Sequence, residues 1–486
     1  MNETTQIDVT HSPTSTLRRE LKVAEIVFMV VAAAAPLAAV AAAVPLVFTF
    51  SGTSGAPLYF LLIGALLVLF SVGYTRMSKS VRDAGALYSY VQHGLGRAVG
   101  LGGANLALAA YACGLTALST YFGHVVGEPF EEHFDLHIPW GVGSLVLVAV
   151  VAYLGYRKID ISAKVLGFFL IAETLIVIIF DIAIIARGGD SGLSLRPFDP
   201  SLLGQGTVGL GLLFTFTSFF GFEGTAVFRR EAIDPDRTIP RATYIAVIGT
   251  AVFYALSSWA IAIGGGVDKV AAAVAADPQS AVPALASKYV GPIFVDVLQV
   301  LLITSFFASA LTFHNVIARY MMTMASRGAL PRPLAAVHPR HLAPSNASIT
   351  ASGIVGAAVV VFLIAGVNPV GDAYVWMNGI LTFGLVALLT LTGLAIVVHF
   401  VREADEPARR VLLGTSILST LGFAGVLWAT VDNFALVVGS KSAAIAVEIL
   451  MLAIFIAGVL TAIVLKFKAP DRFAALAGAT PSSGTD

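Results

Sequence analysis

Hydrophobic and polar positions fall into long alternating blocks along this chain of 486 residues. Apolar stretches recur, and short segments rich in Gly, Pro and charged side chains separate them. A helix needs about 20 apolar residues to cross the hydrocarbon layer of a bilayer. The pattern therefore predicts an all-α polytopic membrane protein with twelve transmembrane helices. The predicted spans are residues 24–48, 56–76, 97–124, 139–156, 162–186, 206–228, 242–264, 291–318, 346–366, 373–399, 411–431 and 442–467.

Composition supports the membrane assignment and narrows the function. Hydrophobic residues make up 57% of the chain and charged residues 12%, far from the values of a soluble domain. The 29 basic and 29 acidic residues balance, so we expect no nucleic-acid partner. The single cysteine, Cys113, excludes an intrachain disulfide. The sequence has no CxxC, HExxH or Walker-type motif, so we expect no metal, no cofactor and no enzymatic or ATP-driven activity.

The distribution of basic residues predicts the orientation. If the N-terminus is cytoplasmic, 24 of the 29 Lys and Arg residues lie in cytoplasmic segments and five lie outside. Such a bias is the positive-inside signal of a multi-pass protein. We therefore expect residues 1–22 and 468–486 to be cytoplasmic tails, both disordered, and the protein to lie in the plasma membrane. The more polar stretch Asp83–Leu95 predicts a short cytoplasmic helix before the third span.

Two spans look interrupted. In the sixth, Ser218–Gly224 places two glycines around an aromatic residue and a carboxylate. Glycine weakens a helix and lets backbone approach a ligand, and a broken membrane helix is tolerated where its freed groups line a cavity. In the first span, Pro36 follows a run of alanines and removes a backbone donor. These spans lie five helices apart, as expected for inverted repeats whose broken helices form a transport site. A pair of kinked packing helices is the alternative.

The residues around these breaks, and several stretches elsewhere in the chain, resemble the motifs of a known transporter family. The chain resembles the amino acid–polyamine–organocation (APC) transporters with the LeuT-type fold of two inverted five-helix repeats. The resemblance implies repeats at 23–190 and 200–400, with two further helices at 411–467. One departure is Arg230-Glu231, where the family often has two acids near a cytoplasmic gate. The stretches that carry it are Leu21–Pro36, Asp83–Tyr90, Gly221–Glu223 with Glu231 and Asp234–Ala242, and Arg319 with Ser326–Pro331, His338-Pro339 and Pro344.

The segment Asp234–Ala242, with two prolines and two arginines, is interpreted as a stiff cytoplasmic connection in which the prolines stop helices.

Two acidic residues fall near the middle of their spans, Glu173 and Glu223. A carboxylate in hydrocarbon costs about 3 kcal/mol or more, so it is normally functional or paired. Both are candidates for proton coupling. The resemblance implies such a role for an acid at Glu223, and it places Glu173 where related transporters hold a coupling ion or a lysine. A structural role, in which each carboxylate only accepts hydrogen bonds between helices, stays open for both.

The substrate's polar ends are expected to meet backbone groups freed at the breaks, because helix N-termini favour a carboxylate and free carbonyls favour an ammonium. Aromatic residues beside the second break would form a wall or gate. On the tenth span Tyr374, Trp376 and Asn378 are weaker candidates. The candidate substrate-binding residues are Ala32, Ala33, Ala34, Ala35, Asn105, Tyr111, Thr116, Phe219, Phe220, Gly221, Phe222 and Gly224.

These residues predict a secondary active transporter that moves a small amino acid, amine or polyamine through the lipid bilayer by alternating access. Proton coupling is the preferred energy source, although Ser305 and Ser309 leave a sodium site open. Uncoupled exchange of substrate against product is the alternative mechanism. A channel or a membrane-embedded enzyme is the alternative class, but the sequence has neither repeated filter loops nor a cluster of catalytic residues.

Overall fold

The computed structural model describes residues 21–81, 87–157, 163–341 and 343–476. Within these residues the architecture is helical, apart from one parallel bridge between Leu21 and Ala232. We number the helices in chain order: α1 Val23–Ala34, α2 Pro36–Ser51, α3 Ala56–Met77, α4 Leu87–Leu95, α5 Arg97–Phe134, α6 Trp140–Arg157, α7 Ala163–Ala186, α8 Val208–Thr217, α9 Gly224–Val227, α10 Pro235–Gly264, α11 Val270–Ala276, α12 Ala281–Tyr289, α13 Pro292–Ser326, α14 Ser345–Ile364, α15 Val375–Arg402, α16 Arg409–Asn433, α17 Ala435–Val438, α18 Lys441–Lys468 and α19 Pro470–Ala475.

The described helices confirm a polytopic membrane protein. Ten are long and apolar enough to cross a bilayer, and the bent pair α1 and α2 makes an eleventh span. The remaining predicted span, the sixth, contains α8, which has only ten residues, so the count of twelve stays a prediction. The relation of the two halves as inverted repeats also stays a prediction.

Both predicted interruptions are present. The first span bends by 44° between α1 and α2, where Pro36 begins the second half, and a π turn over Ala39–Ala43 widens that half. The sixth predicted span ends at Thr217 and resumes at Gly224. Pro36 sits in the first turn of α2, where its missing N–H has no intrahelical partner to lose.

The basic residues and the acidic residues mark opposite ends of the helix bundle. We call the end near residues 76–81, 87–97, 229–241, 319–340 and 402–410 the basic end. The end near residues 128–140, 187–206 and 265–291 is the acidic end. The short helix α4 lies at the basic end, which confirms a helix before the third span, although Asp83–Ala86 lie outside the described residues.

The centre of the bundle is α5, which packs against α6, α13, α15 and α18. On the other side α10 runs along α3. Burial grades from centre to rim: 72% of the most apolar window of Pro369–Arg402 is buried, against 17% for α18. The candidate site is therefore expected among α1, α2, α5, α8, α13 and α15 rather than along the last two long helices.

The interpretation of Asp234–Ala242 as a loop is wrong. Helix α10 begins at Pro235, so this charged stretch forms its first turns. Pro235 is tolerated there because the first helical N–H needs no partner. Pro240 lies inside the helix, where it cannot donate the bond one turn back and its ring crowds the carbonyl there.

The C-terminal segment is also more ordered than expected. Residues 470–475 form α19, and the part described ends at Leu476, which is 5% exposed. Its backbone carbonyl accepts hydrogen bonds from Gln92 (Nε2, 2.7 Å) and Arg327 (Nη1, 3.4 Å). The expected disordered tail therefore does not begin before residue 477, and residues 1–20 and 477–486 lie outside the described part of the chain.

Candidate functional site

The first break forms at Ala35, whose backbone has φ 47° and ψ 76°. This left-handed conformation is unusual for a residue with a Cβ and costs about 1–2 kcal/mol. Ala32 still accepts a bond from the Ala35 N–H at 3.2 Å, and the Ala35 carbonyl accepts one from Ala39 at 3.0 Å. Both backbone polar groups of Ala35 are thus bonded within the turn that joins the two helical segments. Ala33 lies in the last turn of α1, but its side chain is outside the described set.

Glu173 of α7 supports this first break. Its Oε2 accepts a hydrogen bond from the Ser305 hydroxyl of α13 at 2.8 Å, and its carboxyl also accepts the backbone N–H of Leu37. Glu173 is 4% exposed. One buried carboxyl group thus joins α7, α13 and the start of α2.

The second break runs from Ser218 to Glu223. Gly221 has φ 97°, a conformation that favours glycine because a Cβ would clash with the backbone. The chain turns tightly here, with Phe219 bonded to Phe216 at 3.0 Å and Gly224 bonded to Gly221 at 2.9 Å. These turns replace one regular stretch of helix.

Glu223 holds the second break together from within. Its Oε2 accepts the Gly221 N–H at 3.0 Å, and its Oε1 accepts the Tyr111 hydroxyl at 3.1 Å. The Glu223 backbone carbonyl accepts the Tyr74 hydroxyl at 2.7 Å. Glu223 is 8% exposed; its carboxyl group joins the second break to α5, and its backbone carbonyl joins the break to α3.

A cavity of about 50 Å³ lies between the two breaks. Its walls come from the α1–α2 break, α5, the end of α8, α13 and the start of α15. Among the described residues that line it, none is charged. The lining residues are Ala34, Ala35, Ala38, Ala39, Ala43, Gly114, Ala117, Leu118, Thr217, Phe220, Phe306, Ser309, Phe313, Tyr374, Asn378 and Leu381.

The side chains of Thr217, Ser309, Asn378 and Tyr374 bring polar groups to the lining of this cavity. Thr217 Oγ1 lies 3.0 Å from Thr382 Oγ1 and accepts a 3.5 Å contact from Asn378 Nδ2. The buried Ser309 hydroxyl has no hydrogen-bond partner among the described residues. A buried hydroxyl without a partner is costly, so Ser309 is available to a solute in the cavity.

The cavity contains only some of the candidate binding residues. Ala34, Ala35 and Phe220 line it. Phe219 and Phe222 instead pack beside the break against Phe60 and Phe70. Gly221, Gly224, Ala32 and Tyr111 lie at the two breaks, where they shape the turns or bond Glu223.

Two candidates on α5 lie elsewhere. Asn105 Nδ2 contacts the Ile454 carbonyl of α18 at 3.4 Å, so this side chain faces the outermost helix. Thr116 returns its hydroxyl to the Ala112 carbonyl at 2.9 Å, within its own helix. Neither lines the cavity, and we leave both out of the proposed site. The sequence did not single out Thr217, because its contacts with Thr382 and Asn378 of α15 depend on how distant helices pack.

Ion pairs tie the basic end together. Arg76 of α3 makes a two-pronged contact with Glu406, with Nη2 2.7 Å from Oε1 and Nε 3.1 Å from Oε2. This hydrogen-bonded guanidinium lowers the pKa of the Glu406 carboxyl. Asp236 meets both Arg229 and Lys79, the latter at 3.3 Å. The Arg230 side chain is outside the described set, whereas the Glu231 carbonyl accepts the Leu21 N–H at 3.0 Å.

Comparison with known proteins places these features in a family. A family model described as "Amino acid permease" matches residues 21–460. Uncharacterised transporters of Mycobacterium tuberculosis and Mycobacterium bovis are 34% identical over 147 residues, which is 30% of this chain and 32% of theirs. A second Mycobacterium bovis transporter is 26% identical over 255 residues, covering 45% of this chain and 52% of the relative. The alignments thus span about a third to a half of the relatives. The family model covers nearly the whole chain, and the protein belongs to the amino acid permease family.

Proposed function

We propose that this protein is a secondary active transporter for amino acids or related amines, working by alternating access in the plasma membrane with both termini cytoplasmic. One observation carries the proposal: a cavity lies between two broken helices, and each break is bonded by a buried carboxyl group. Broken helices around a midplane cavity are the arrangement that secondary transporters use to bind solutes. Membership in the amino acid permease family supports the same reading.

The cavity walls favour a small zwitterion or amine. They offer the polar groups of Thr217, Ser309 and Asn378, with no charged side chain among the described lining residues. Backbone dipoles at helix breaks can hold both poles of a zwitterion without a fixed countercharge. The alanines of α1 and α2 leave room for the backbone of a solute rather than for a large side chain.

Proton coupling is proposed through Glu223 and Glu173. Each carboxyl group accepts a backbone N–H at a break and a hydroxyl from a different helix. A protonated carboxyl group becomes a donor on one oxygen and loses part of its acceptor capacity. Uptake of a proton would therefore loosen the bonds that fix the breaks, and release of the proton would restore them.

The test is substrate-driven proton movement in proteoliposomes that contain the purified full-length protein and an internal pH-sensitive dye. Amino acids, amines and polyamines are added in pools, and internal acidification is recorded. We expect acidification with at least one pool. Solute uptake without acidification would favour uncoupled exchange, the alternative mechanism. No uptake of any pool by protein shown to be folded would overturn the proposed substrate class.

A further inference from the structure

A second cavity opens at the acidic end, about 480 Å³ in volume. It lies between the end of α5, the start of α12 and the start of α13. Glu128 and Glu131 reach it from α5, Asp296 and Gln299 from α13, and Ser280 and Ser287 from the α12 region. This volume falls within the range of small-molecule sites. We call it the acidic pocket.

The acidic pocket carries fixed negative charge. Three carboxylates line it, and none of its described lining residues is Lys or Arg. The nearest basic residue in sequence, Lys288, is bound to Asp190 at 2.6 Å instead. Histidines contact Glu128 and Glu131: His124 Nε2 lies 3.1 Å from Glu128, and His137 Nδ1 lies 3.3 Å from Glu131. A cleft lined by one sign of charge concentrates ions of the opposite sign.

Gln299 supplies an independent sign of a ligand. Its side chain lines the pocket, is 7% exposed, and makes no hydrogen bond with any described residue. Buried amide groups are nearly always hydrogen-bonded, because an unpaired one loses its bonds to water without replacement. The Gln299 amide is therefore left for a molecule that enters the pocket.

The chemistry favours an organic cation over a metal ion. No group of three or more His, Cys, Asp or Glu side chains in the described residues is placed to hold a metal. A primary ammonium has three donors and no acceptor, which suits carboxylates and an amide oxygen spread around a larger space. We propose that the acidic pocket is an external binding site for amines, from which they pass to the central cavity. This proposal rests on the proposed transport function.

A cluster of aromatic rings lies at the wall of the central cavity. The Tyr121 ring stacks on Phe306 at 4.7 Å and meets Tyr374 edge-on at 4.8 Å. Phe306 and Tyr374 line the central cavity. Along α13, Gln299 and Phe306 are seven residues apart, about 10 Å of helical rise. Because Gln299 lines the acidic pocket and Phe306 lines the central cavity, a molecule would pass about two turns of α13 between them.

The test measures cysteine labelling in the full-length protein in proteoliposomes, without any transport step. Cys113 is replaced by Ala, and Ser287→Cys places a thiol in the pocket. Ser442→Cys, exposed at the start of α18, gives a matched site outside it. Rates are compared for a cationic and an anionic methanethiosulfonate reagent, with and without putrescine as the amine probe.

We expect the cationic reagent to react about tenfold faster than the anionic one at Ser287→Cys, relative to Ser442→Cys, because the local potential attracts cations. Putrescine should slow labelling at Ser287→Cys alone. Adding Glu128→Gln and Asp296→Asn should abolish both effects. Adding Gln299→Leu should weaken the protection by putrescine and leave the preference for the cationic reagent.

Two results would overturn the proposal: equal rates for both reagents at the two cysteines, or protection by Mg²⁺ as strong as that by putrescine. The second result would assign the pocket to inorganic cations. Because labelling needs no transport, amine protection in a protein that transports nothing would refute the proposed function alone. Normal amine transport without protection would refute the acidic pocket alone.

Discussion

The two helix breaks on either side of the central cavity are held in different ways. At the first, a non-glycine residue, Ala35, takes a left-handed conformation, and Glu173 reaches in from another helix to bond Leu37. At the second, Gly221 takes the positive φ, and Glu223, two residues later, bonds its N–H. A proton on Glu173 would therefore change a contact between helices, whereas a proton on Glu223 would change a turn within its own segment.

The largest difference in stability between the two breaks is expected when each carboxyl group is removed. Glu223→Leu leaves the Gly221 N–H and the Tyr111 hydroxyl without acceptors, at about 1–3 kcal/mol each. Glu173→Leu leaves the Leu37 N–H unpaired, but Ser305 can return its hydroxyl to a carbonyl of its own helix, as Thr304 does to Leu301 at 2.8 Å. We expect thermal unfolding in detergent to show the larger loss for Glu223→Leu. Equal losses would mean that both breaks depend on their carboxylates alike.

Substituting the residue with positive φ at each break should change stability by a smaller amount, and in opposite directions at the two breaks. Gly221→Ala should destabilise by about 1–2 kcal/mol, because a Cβ is disfavoured at φ 97°. Ala35→Gly should be neutral or stabilise by up to about 1 kcal/mol, because it removes a similar strain at the cost of unfolded-state entropy. Gly224→Ala is the control, since a Cβ there meets nothing within 4 Å and φ is ordinary. Thermal unfolding midpoints that fall for all three changes would contradict this account.

Tyr111→Phe tests the hydrogen bond that Tyr111 donates to Glu223 at the second break. It removes the hydroxyl that donates to Glu223 and keeps the ring, which packs edge-on against Phe313 and Tyr320 at 5.8 Å. We expect a loss of about 1 kcal/mol in stability and slower uptake. Tyr320→Phe is the matched control, because that buried hydroxyl has no partner among the described residues. If Tyr320→Phe slows uptake as much, the Tyr111 bond to Glu223 is not the cause.

The smallest effect is expected at the basic end. Arg76 lowers the pKa of Glu406, so the stabilisation from this pair is fully present above the ordinary carboxyl range and is lost only as pH falls through the lowered value. Between pH 7.5 and 5 the pair stays intact. Arg76→Gln should therefore cost about 1 kcal/mol or less and change uptake by the same factor at every pH in that window. A changed pH profile of uptake would implicate this pair in coupling.

The sequence was informative where a feature is local. Pro36 after a run of alanines, and Gly221 beside Glu223, signal breaks because each residue alters the backbone at its own position. The sequence was less informative about which side of a helix faces the cavity. Helix α5 is apolar on nearly every side, so nothing in the sequence distinguishes the side of Asn105, which faces α18, from the sides that face the cavity.

The acidic pocket was out of reach for a related reason. The apolar block of the third span ends near residue 124, but α5 continues to Phe134. This extension places Glu128 and Glu131 in the same pocket as residues of α13. Hydrophobicity marks where a helix leaves the hydrocarbon layer, and it does not mark where the helix ends. Glu128 and Glu131, which lie beyond the predicted third span, therefore form a wall of the pocket together with Asp296 and Gln299.

The most direct measurement compares solute accumulation with solute exchange in proteoliposomes, with and without an inward proton gradient. The variants are Glu223→Gln, Glu173→Gln and Asp181→Asn. Asp181 is the matched control, because it is a buried carboxyl group on α7, two turns from Glu173, and it is bonded to Ser257 at 2.7 Å away from both breaks. The account predicts that at least one Gln variant loses gradient-driven accumulation and keeps exchange, while Asp181→Asn keeps both. Wild-type accumulation in both Gln variants would contradict it.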